Sequence, residues 1–202
     1  MHDNPRKTLL LVESPTKART IRRLLRELGF RATVVRATLG HLRDLPTNEL
    51  GVDIQHGFRP HYVVPPHRQR TVAELRPYVQ QAQRIILAMD PDREGEAVAW
   101  HVLKVFAGEI AGKEVQRIVF HEITASALAK ALRNPRSVDT HLVKAAVARR
   151  VIDRLIGYKI SLFLWKRFRK QRNLGAGRVQ MAALRLLVEA EAQHTPSLEV
   201  DL

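Results

Sequence analysis

Short apolar runs alternate with helical patterns over the first two thirds of the chain, and this alternation is the strongest constraint on the fold. The apolar runs predict strands at Thr8–Val12, Ala32–Thr38, His61–Val64, Arg84–Ala88 and Val115–Phe120. The patterns between them predict helices after Ser14-Pro15, over Thr71–Ala82 and Glu94–Phe106, and from Thr124 to about Leu132. Since strands that alternate with helices form parallel sheets, this part is predicted to be an α/β domain with a parallel sheet and flanking helices.

The sequence changes in character after Ser137. From there to Ala192 only helical patterns occur, and residues 133–137 have the composition of a linker. We therefore predict two domains, an α/β domain over residues 1–134 and a mostly α-helical partial domain over residues 135–202.

The composition excludes several classes of protein. The 202 residues include no cysteine, which rules out a disulfide scaffold, a thiolate zinc site and a cysteine nucleophile. No apolar run approaches the roughly 20 residues of a membrane span. The first apolar run, Thr8–Val12, is too short for a signal peptide. We therefore expect a cytoplasmic protein without a membrane partner.

Positive charge is concentrated in one segment. The chain carries 34 Lys and Arg against 20 Asp and Glu, a net charge of +14. Residues 130–185 contain fifteen basic and two acidic residues, whereas the rest of the chain contains nineteen basic and eighteen acidic residues. Because segregated positive charge is typical of polyanion binders, nucleic acid is the leading candidate partner, and association with the nucleoid is expected. A general richness in arginine is the alternative explanation.

A cluster of carboxylates follows directly on the predicted strand that ends at residue 88. Asp90, Asp92 and Glu94 alternate along the chain, so an extended loop would direct them to one side. Glu13 follows the first strand, and the carboxyl ends of parallel strands share one edge of a sheet. We expect these four carboxylates to need a cation, and all-oxygen ligation favours Mg²⁺, which also binds phosphate oxygens. An acidic turn in which Glu94 and Glu96 complement a helix dipole is the alternative.

Two further groups of residues suit a phosphate-bearing partner. Lys17 lies in the first turn of the first predicted helix, where it would form an anion site with the helix amides; a solvated surface lysine is the alternative. Arg150, Arg154 and Tyr158 are spaced four residues apart and share a helix face, which Trp165 joins if the helix continues. Cations with interleaved aromatic rings suit a single nucleic-acid strand, whereas core packing is the alternative for the aromatic residues.

Five sequence blocks stand in order along the chain. They are Leu11–Ala18, Leu39–Pro46, Asp90–Ala97 with the following Trp100-His101, Ala148–Tyr158 and Gly175–Gln180. In this order they resemble the Toprim domain and the start of the strand-binding helical domain of type IA DNA topoisomerases, most closely the bacterial topoisomerase I type. The resemblance covers about residues 8–192.

The resemblance implies an enzyme that cleaves and rejoins one DNA strand to relax supercoils, with Mg²⁺ and without ATP. It implies that Glu13, Asp90 and Asp92 hold the Mg²⁺ with Glu94 nearby. It also implies that Glu13 moves a proton and that Lys17 contacts the scissile phosphate, which makes these five the catalytic residues. Single-stranded DNA would contact a larger set, namely His41, Arg149, Arg150, Asp153, Arg154, Tyr158, Trp165, Gly175, Ala176, Gly177, Arg178, Val179 and Gln180. For Arg149 and Asp153, an ordinary ion pair one helical turn apart is the alternative.

The sequence departs from the family pattern at three points. Leu162 stands where a proline is common, so we expect the helix to run on, and Gly175 replaces the usual serine. Family enzymes are several times longer, and none of Tyr62, Tyr78 and Tyr158 matches the motif of their nucleophilic tyrosine. We therefore expect the chain alone to form no covalent DNA adduct. A separate polypeptide carrying the remainder of the enzyme is a candidate partner, while a truncated gene product and a piece of a longer chain stay open as alternatives.

Two other functions are compatible with these residues. A Toprim nuclease or primase-like enzyme would use metal-activated water or a hydroxyl and would need no tyrosine, but it leaves the match over residues 148–180 unexplained. A truncated, non-catalytic protein that only binds DNA is the second alternative. Mg²⁺-dependent nicking, assayed with and without a tyrosine-bearing polypeptide, distinguishes the three.

Overall fold

The computed structural model describes residues 7–168 and 174–194 of the chain. The elements of this part follow in the order β1 (Thr8–Val12), α1 (Pro15–Glu27), β2 (Thr33–Ala37), β3 (Val52–Asp53), β4 (Arg59–Pro60), α2 (Pro66–Gln81), β5 (Arg84–Leu87), α3 (Arg93–Val105), α4 (Ala107–Ile110), β6 (Glu114–Arg117), α5 (Ala125–Arg133), α6 (Thr140–Arg167) and α7 (Arg178–His194). The chain separates into two compact units, Met1–Ala148 and Arg149–Leu202. The boundary at residues 134 and 135 stays a prediction.

Four parallel strands form the sheet of the first unit, in the order β2-β1-β5-β6. Leu10 of β1 lies between Val35 of β2 and Ile86 of β5, which fixes the register of the central strands. The short strands β3 and β4 form a separate antiparallel pair. The predicted parallel α/β sheet with flanking helices is confirmed.

The sheet is covered by helices on both faces because its central strands are apolar after their first residues, Thr8 and Arg84. Leu9 and Leu11 of β1 belong to a core that includes residues of α2 and α3. Leu10 and Val12 belong to a second core with residues of α1 and α5. A strand buried on both faces is typical of parallel sheets, and this arrangement leaves the carboxyl edge of the sheet as the open place for a site.

Helix α1 begins where the sequence predicts it. Ser14 is its N-cap, with Oγ accepting a hydrogen bond from the Lys17 N–H at 3.3 Å, and Pro15 occupies the first helical position. This cap places Lys17 in the first turn, directly after the end of β1. Thr124 caps α5 in the same way, as predicted.

Several predicted boundaries were wrong. Helix α2 begins at Pro66 instead of Thr71, because a proline is well suited to a first helical turn. In place of a strand at residues 61–64, Val63 makes a single antiparallel bridge with Asp44. Helix α3 spans Arg93–Val105 instead of Glu94–Phe106, and the short helix α4 follows it at Ala107.

The segment predicted as a linker is bound to the edge of the sheet. The Arg136 N–H donates to the Arg117 carbonyl and the Arg117 N–H donates to the Arg136 carbonyl, both at 2.8 Å. Strand β6 ends at Arg117 and not at the predicted Phe120, because its neighbour β5 ends opposite it at Leu87. The bridge therefore covers the end of an edge strand that would otherwise expose its polar groups.

Beyond residue 137, the described residues are mostly helical, as predicted. Helix α6 passes Leu162 without a break, which confirms the expectation that it runs on. The basic residues Arg169, Lys170 and Arg172 lie outside the described part of the chain. None of the helices in residues 7–168 and 174–194 combines the length and the apolarity needed to cross a membrane.

Gly95 and Gly108 provide a matched pair of helical glycines. A Cβ atom on Gly95 would lie 2.2 Å from the Asp90 carbonyl oxygen, whereas a Cβ on Gly108 would meet no atom within 4 Å. We expect Gly95→Ala to lower the free energy of unfolding by at least ~2 kcal/mol, because the backbone itself must shift. Gly108→Ala should leave it unchanged or raise it by up to ~1 kcal/mol. Urea denaturation measures both, and equal values for the two variants would contradict the close approach.

Candidate functional site

The carboxyl edge of the sheet brings Glu13 and Asp90 together. These residues follow β1 and β5, which are neighbours in the sheet. The Asp90 N–H donates a hydrogen bond to Glu13 Oε1 at 3.0 Å. The predicted convergence of these two carboxylates at one edge is therefore observed.

Lys17 supplies positive charge at the same edge. Its ammonium forms an ion pair with Asp90 Oδ1 and lies 3.9 Å from Glu13 Oε2. The lysine thereby offsets the repulsion between the two acidic groups. Burial raises the pKa of the Glu13 carboxyl above its ordinary value, and the Asp90 N–H and the Lys17 ammonium act in the opposite direction.

Asp92 and Glu94 are placed by the start of α3. Asp92 is the N-cap of this helix, and its Oδ1 accepts a hydrogen bond from the Gly95 N–H at 2.7 Å. Glu94 lies in the first helical turn with Oε2 3.4 Å from His41 Nε2. The expectation of an extended loop is therefore wrong for Glu94, because the helix already begins at Arg93.

The donors at this edge match the chemistry of a hard cation. All are carboxylate oxygens, and Mg²⁺ is held in many proteins by one or two carboxylates with water and substrate phosphates completing its shell. In the described part of the chain, no group of three or more His, Asp or Glu side chains is arranged to hold a metal ion. The assignment of Glu13, Asp90, Asp92 and Glu94 as metal ligands stays a prediction.

An aromatic and histidine cluster lies beside Glu94. His101 is 2% exposed, and the rings of His41, Tyr62 and Trp100 meet it edge-on at centroid distances of 5.2, 4.7 and 5.0 Å. The Arg43 guanidinium lies 4.9 Å from the Trp100 ring centroid and donates from Nε to His101 Nδ1 at 3.2 Å. Burial, reinforced by His41 and Arg43, lowers the pKa of His101 to about 3.

Glu96 and Arg117 form a buried ion pair that the sequence analysis missed. Both side chains are fully buried, with Arg117 Nε 3.0 Å from Glu96 Oε1. Burial lowers the pKa of the Arg117 guanidinium, and the adjacent Glu96 carboxylate opposes this effect. A signal for Glu96 was present, because it shares a helical stripe with Ala99 and Leu103 and so faces the core. Arg117 carried no such signal among the 34 basic residues.

The second unit contains most of the predicted DNA contacts. Asp153 accepts a hydrogen bond from Arg178 Nε at 2.5 Å, which holds the pKa of its carboxyl below the ordinary value. Arg149 Nε is 3.8 Å from Asp153 Oδ2, so the ion pair within α6 is present as well. Arg150 and Tyr158 are exposed, and Arg154 is half-buried. These side chains share one helix face, as their spacing predicts.

The loop before α7 packs on α6. The Ala176 N–H donates to Ser161 Oγ at 3.1 Å, and Trp165 Nε1 donates to the Leu174 carbonyl at 2.5 Å. A Cβ on Gly177 would lie 3.3 Å from Gln180 Oε1, which leaves little room for a side chain. Trp165 and Tyr158 are 49% and 37% exposed, so core packing does not explain them in the described structure. Gly175, Arg178, Val179 and Gln180 are exposed, and their DNA contacts stay a prediction.

Comparison with known proteins identifies the family. Residues 8–123, more than half of the chain, match the Toprim domain family. The chain belongs to the Toprim family. The Toprim domain is followed by a match of residues 137–196 to a family described as DNA topoisomerase.

A solved structure extends the similarity over both parts. The full-length topoisomerase I from Thermotoga maritima is 39% identical over 91% of this chain, with a TM-score of 0.76. The present chain spans 30% of the length of the Thermotoga maritima protein. Its likeness to the N-terminal region of a type IA topoisomerase is therefore confirmed.

The low pKa of His101 predicts how stability depends on pH. Between about pH 6.5 and about pH 3, the unfolded chain binds a proton that the folded protein does not, so stability is lost as the pH falls through this range. We expect this histidine to cost about 2 kcal/mol at pH 5 relative to pH 7.5. His101→Gln, which keeps an acceptor for Arg43, should reduce the loss by that amount in urea denaturation.

His56→Gln serves as the control for this prediction. His56 is exposed and pairs with Asp53, with Nδ1 2.7 Å from Asp53 Oδ2. Its replacement should leave the difference between pH 7.5 and pH 5 largely unchanged. A loss of stability in His101→Gln as large as in the wild type would show that His101 is protonated in the folded state.

Proposed function

We propose that this chain is the Mg²⁺-binding and strand-binding N-terminal region of a type IA DNA topoisomerase, which cleaves and rejoins one DNA strand. The observation that carries the proposal is the junction of Glu13, Asp90 and Lys17 at the carboxyl edge of the sheet. Two carboxylates and an ammonium within contact distance can serve a cation and a phosphate at the same place. The basic second unit provides the surface for the strand.

The acidic residues at this edge would hold the cation. Glu13, Asp90 and Asp92 are the proposed ligands, and Glu94 contributes negative charge from the first turn of α3. Bound Mg²⁺ offsets the charge that develops on a phosphodiester during transesterification. Lys17 and the amides at the start of α1 would hold the phosphate, because a helix N-terminus and an ammonium both attract anions.

Glu13 is proposed to move a proton as well. Its Oε1 atom is held by the Asp90 N–H, and burial raises the pKa of its carboxyl. A carboxyl with a raised pKa takes up and releases protons closer to neutral pH than an exposed one. Oε2 lies 3.9 Å from the Lys17 ammonium and is the oxygen proposed to carry the proton.

The second unit is proposed to bind a single strand of DNA. Arg149, Arg150 and Arg154 would follow the phosphates, while the exposed rings of Tyr158 and Trp165 would stack on bases. The hydrogen bonds of Ser161 with Ala176 and of Trp165 with Leu174 hold the loop before α7 on α6, where residues 175–180 would line the strand. In the first unit, His41 is also proposed to contact DNA.

The match to the DNA topoisomerase family supports this function over a nuclease or a primase-like enzyme. That match covers residues 137–196, which those alternatives leave without a role.

The apolar side chains Val179, Leu184, Leu186 and Leu187 of α7 are 61–79% exposed. Apolar exposure on this scale supports packing of α7 against the remainder of a topoisomerase. The cytoplasm, with association to the nucleoid, is the proposed location.

The metal proposal predicts a change in stability on addition of Mg²⁺. Mg²⁺ at ten times its dissociation constant should raise the free energy of unfolding by about 1.4 kcal/mol, because only the folded chain gathers the ligands. Asp90→Asn combined with Asp92→Asn should abolish the effect in thermal denaturation. Asparagine preserves the cap of α3, so the double variant is expected to fold.

Asp53→Asn combined with Glu74→Gln removes the same charge away from the edge. This control should keep the full response to Mg²⁺. An unchanged Mg²⁺ response in the Asp90 and Asp92 double variant would refute the metal assignment.

The strand-binding proposal predicts a salt dependence. Binding of single-stranded DNA should weaken as salt rises, because arginines that bind the phosphates release condensed counterions into solution. Arg150→Ala with Arg154→Ala should reduce the slope of log affinity against log salt by about 1.4, whereas Arg23→Ala with Arg31→Ala should not change it.

Trp165→Ala should weaken binding by ~1–3 kcal/mol through lost stacking. Equal affinity for heparin and DNA, unaffected by Trp165→Ala, would instead indicate a nonspecific basic surface.

A further inference from the structure

Asp90 is held on three sides by different parts of the first unit. Its N–H donates to Glu13, and its carboxylate binds the Lys17 ammonium. Its carbonyl accepts a hydrogen bond from Arg117 Nη2 at 2.7 Å. The backbone of Asp90, which positions its carboxylate, is therefore fixed by the buried Arg117. This arginine does not contact the Asp90 carboxylate itself.

Arg117 satisfies its guanidinium almost entirely with backbone carbonyls at the end of β5. Nη1 donates to Leu87 at 3.2 Å, to Met89 at 2.9 Å and to Ile118, while Nη2 donates to Asp90. The Leu87 carbonyl also accepts from the Ile118 N–H at 2.9 Å, whereas the Met89 and Asp90 carbonyls lie beyond the end of β5, where strand pairing no longer serves them. One planar side chain thus determines the path of the chain from the sheet to the carboxylates.

Glu96 neutralises this arginine and ties it to the chain before α6. Its Oε1 atom accepts from Arg117 Nε at 3.0 Å and from Arg136 Nη2 at 2.6 Å. Its Oε2 atom accepts from the Asp139 N–H at 2.9 Å. With three donors, both oxygens of the buried carboxylate are hydrogen-bonded, and the carboxylate holds Arg117 in a single orientation.

Stability alone does not account for a fully buried ion pair. The desolvation of two charges offsets most of their attraction, and apolar residues of similar volume often serve stability as well. The contacts of this pair converge on the backbone beside the carboxylate edge. Gly95 allows the same close approach, because a Cβ atom there would overlap the Asp90 carbonyl.

We propose that Arg117 and Glu96 are positioning residues that set the affinity of the carboxylate edge for a divalent cation. They act by fixing the peptide group of Asp90 and not by touching the ion. This inference rests on the proposed function, since it assumes that the edge binds Mg²⁺.

Isothermal titration with Mg²⁺ on the whole chain tests the proposal. Arg117→Lys keeps the charge but loses the planar set of donors, and Glu96→Gln keeps one acceptor but loses the charge. We expect each to raise the dissociation constant of Mg²⁺ at least tenfold in protein with native circular dichroism. Arg136→Gln, at a side chain that is 39% exposed, is expected to fold and to raise it about threefold.

The opposite edge of the sheet supplies matched controls. Arg84 and Glu114 begin β5 and β6, with Arg84 Nε 3.5 Å from Glu114 Oε1. Arg84→Lys and Glu114→Gln should change the dissociation constant less than twofold, whatever they do to the melting temperature.

The outcomes separate this inference from the function on which it rests. Variants at Arg117, Glu96 and Arg136 that melt at lower temperature but bind Mg²⁺ like the wild type would show a merely structural role and overturn the inference alone. A wild-type chain that binds no Mg²⁺ would overturn the proposed metal site and the inference with it. Weakened Mg²⁺ binding in the variants at Arg117, Glu96 and Arg136, with unchanged binding in the controls, supports both the metal site and the inference.

Discussion

The ion pair between Glu96 and Arg117 determines how the rest of the first unit can be arranged. It joins the end of β5, the body of α3 and the chain that leads into α6, all through hydrogen bonds in the interior. Two charges are stable there only because each finds nearly all of its partners. The arrangement leaves little freedom at the carboxyl edge, so the acidic residues that follow the strands are presented by a rigid frame.

The same edge illustrates why parallel sheets carry sites at one end. The apolar strands are covered on both faces, so polar residues can gather only where the strands stop. Glu13 and Asp90 come from strands that are distant in sequence and adjacent in space. Each is stabilised by the backbone or the lysine of the other segment, which turns two unfavourable like charges into a connected group.

The sequence predicted those parts of the fold that depend on local patterns. The apolar run at Thr8–Val12, the cap at Ser14 and the continuation of α6 past Leu162 all follow from short-range chemistry. The pairing of Glu96 with Arg117 depends on contacts across 21 residues, and nothing adjacent to Arg117 marks it as buried. For the same reason residues 133–137 looked like a linker, although backbone pairing with β6 fixes them. Asp92 has the extended backbone that the alternation predicts, but its side chain caps α3, because capping satisfies helix amides that alternation in sequence does not reveal.

Because the Lys17 ammonium is paired with Asp90, a cation that binds Asp90 at this edge must take the place of the ammonium. An ammonium already occupies one carboxylate oxygen, so an incoming cation that uses this oxygen must displace it. The affinity of the edge for such a cation would then reflect a difference between two binding free energies and would be lower than the carboxylates alone would give. A displaced lysine is also a cation without a counter-ion, and a phosphate restores the balance. Under the proposed function, cation and phosphate would therefore favour each other's binding, because the Lys17 ammonium would leave Asp90 for the phosphate.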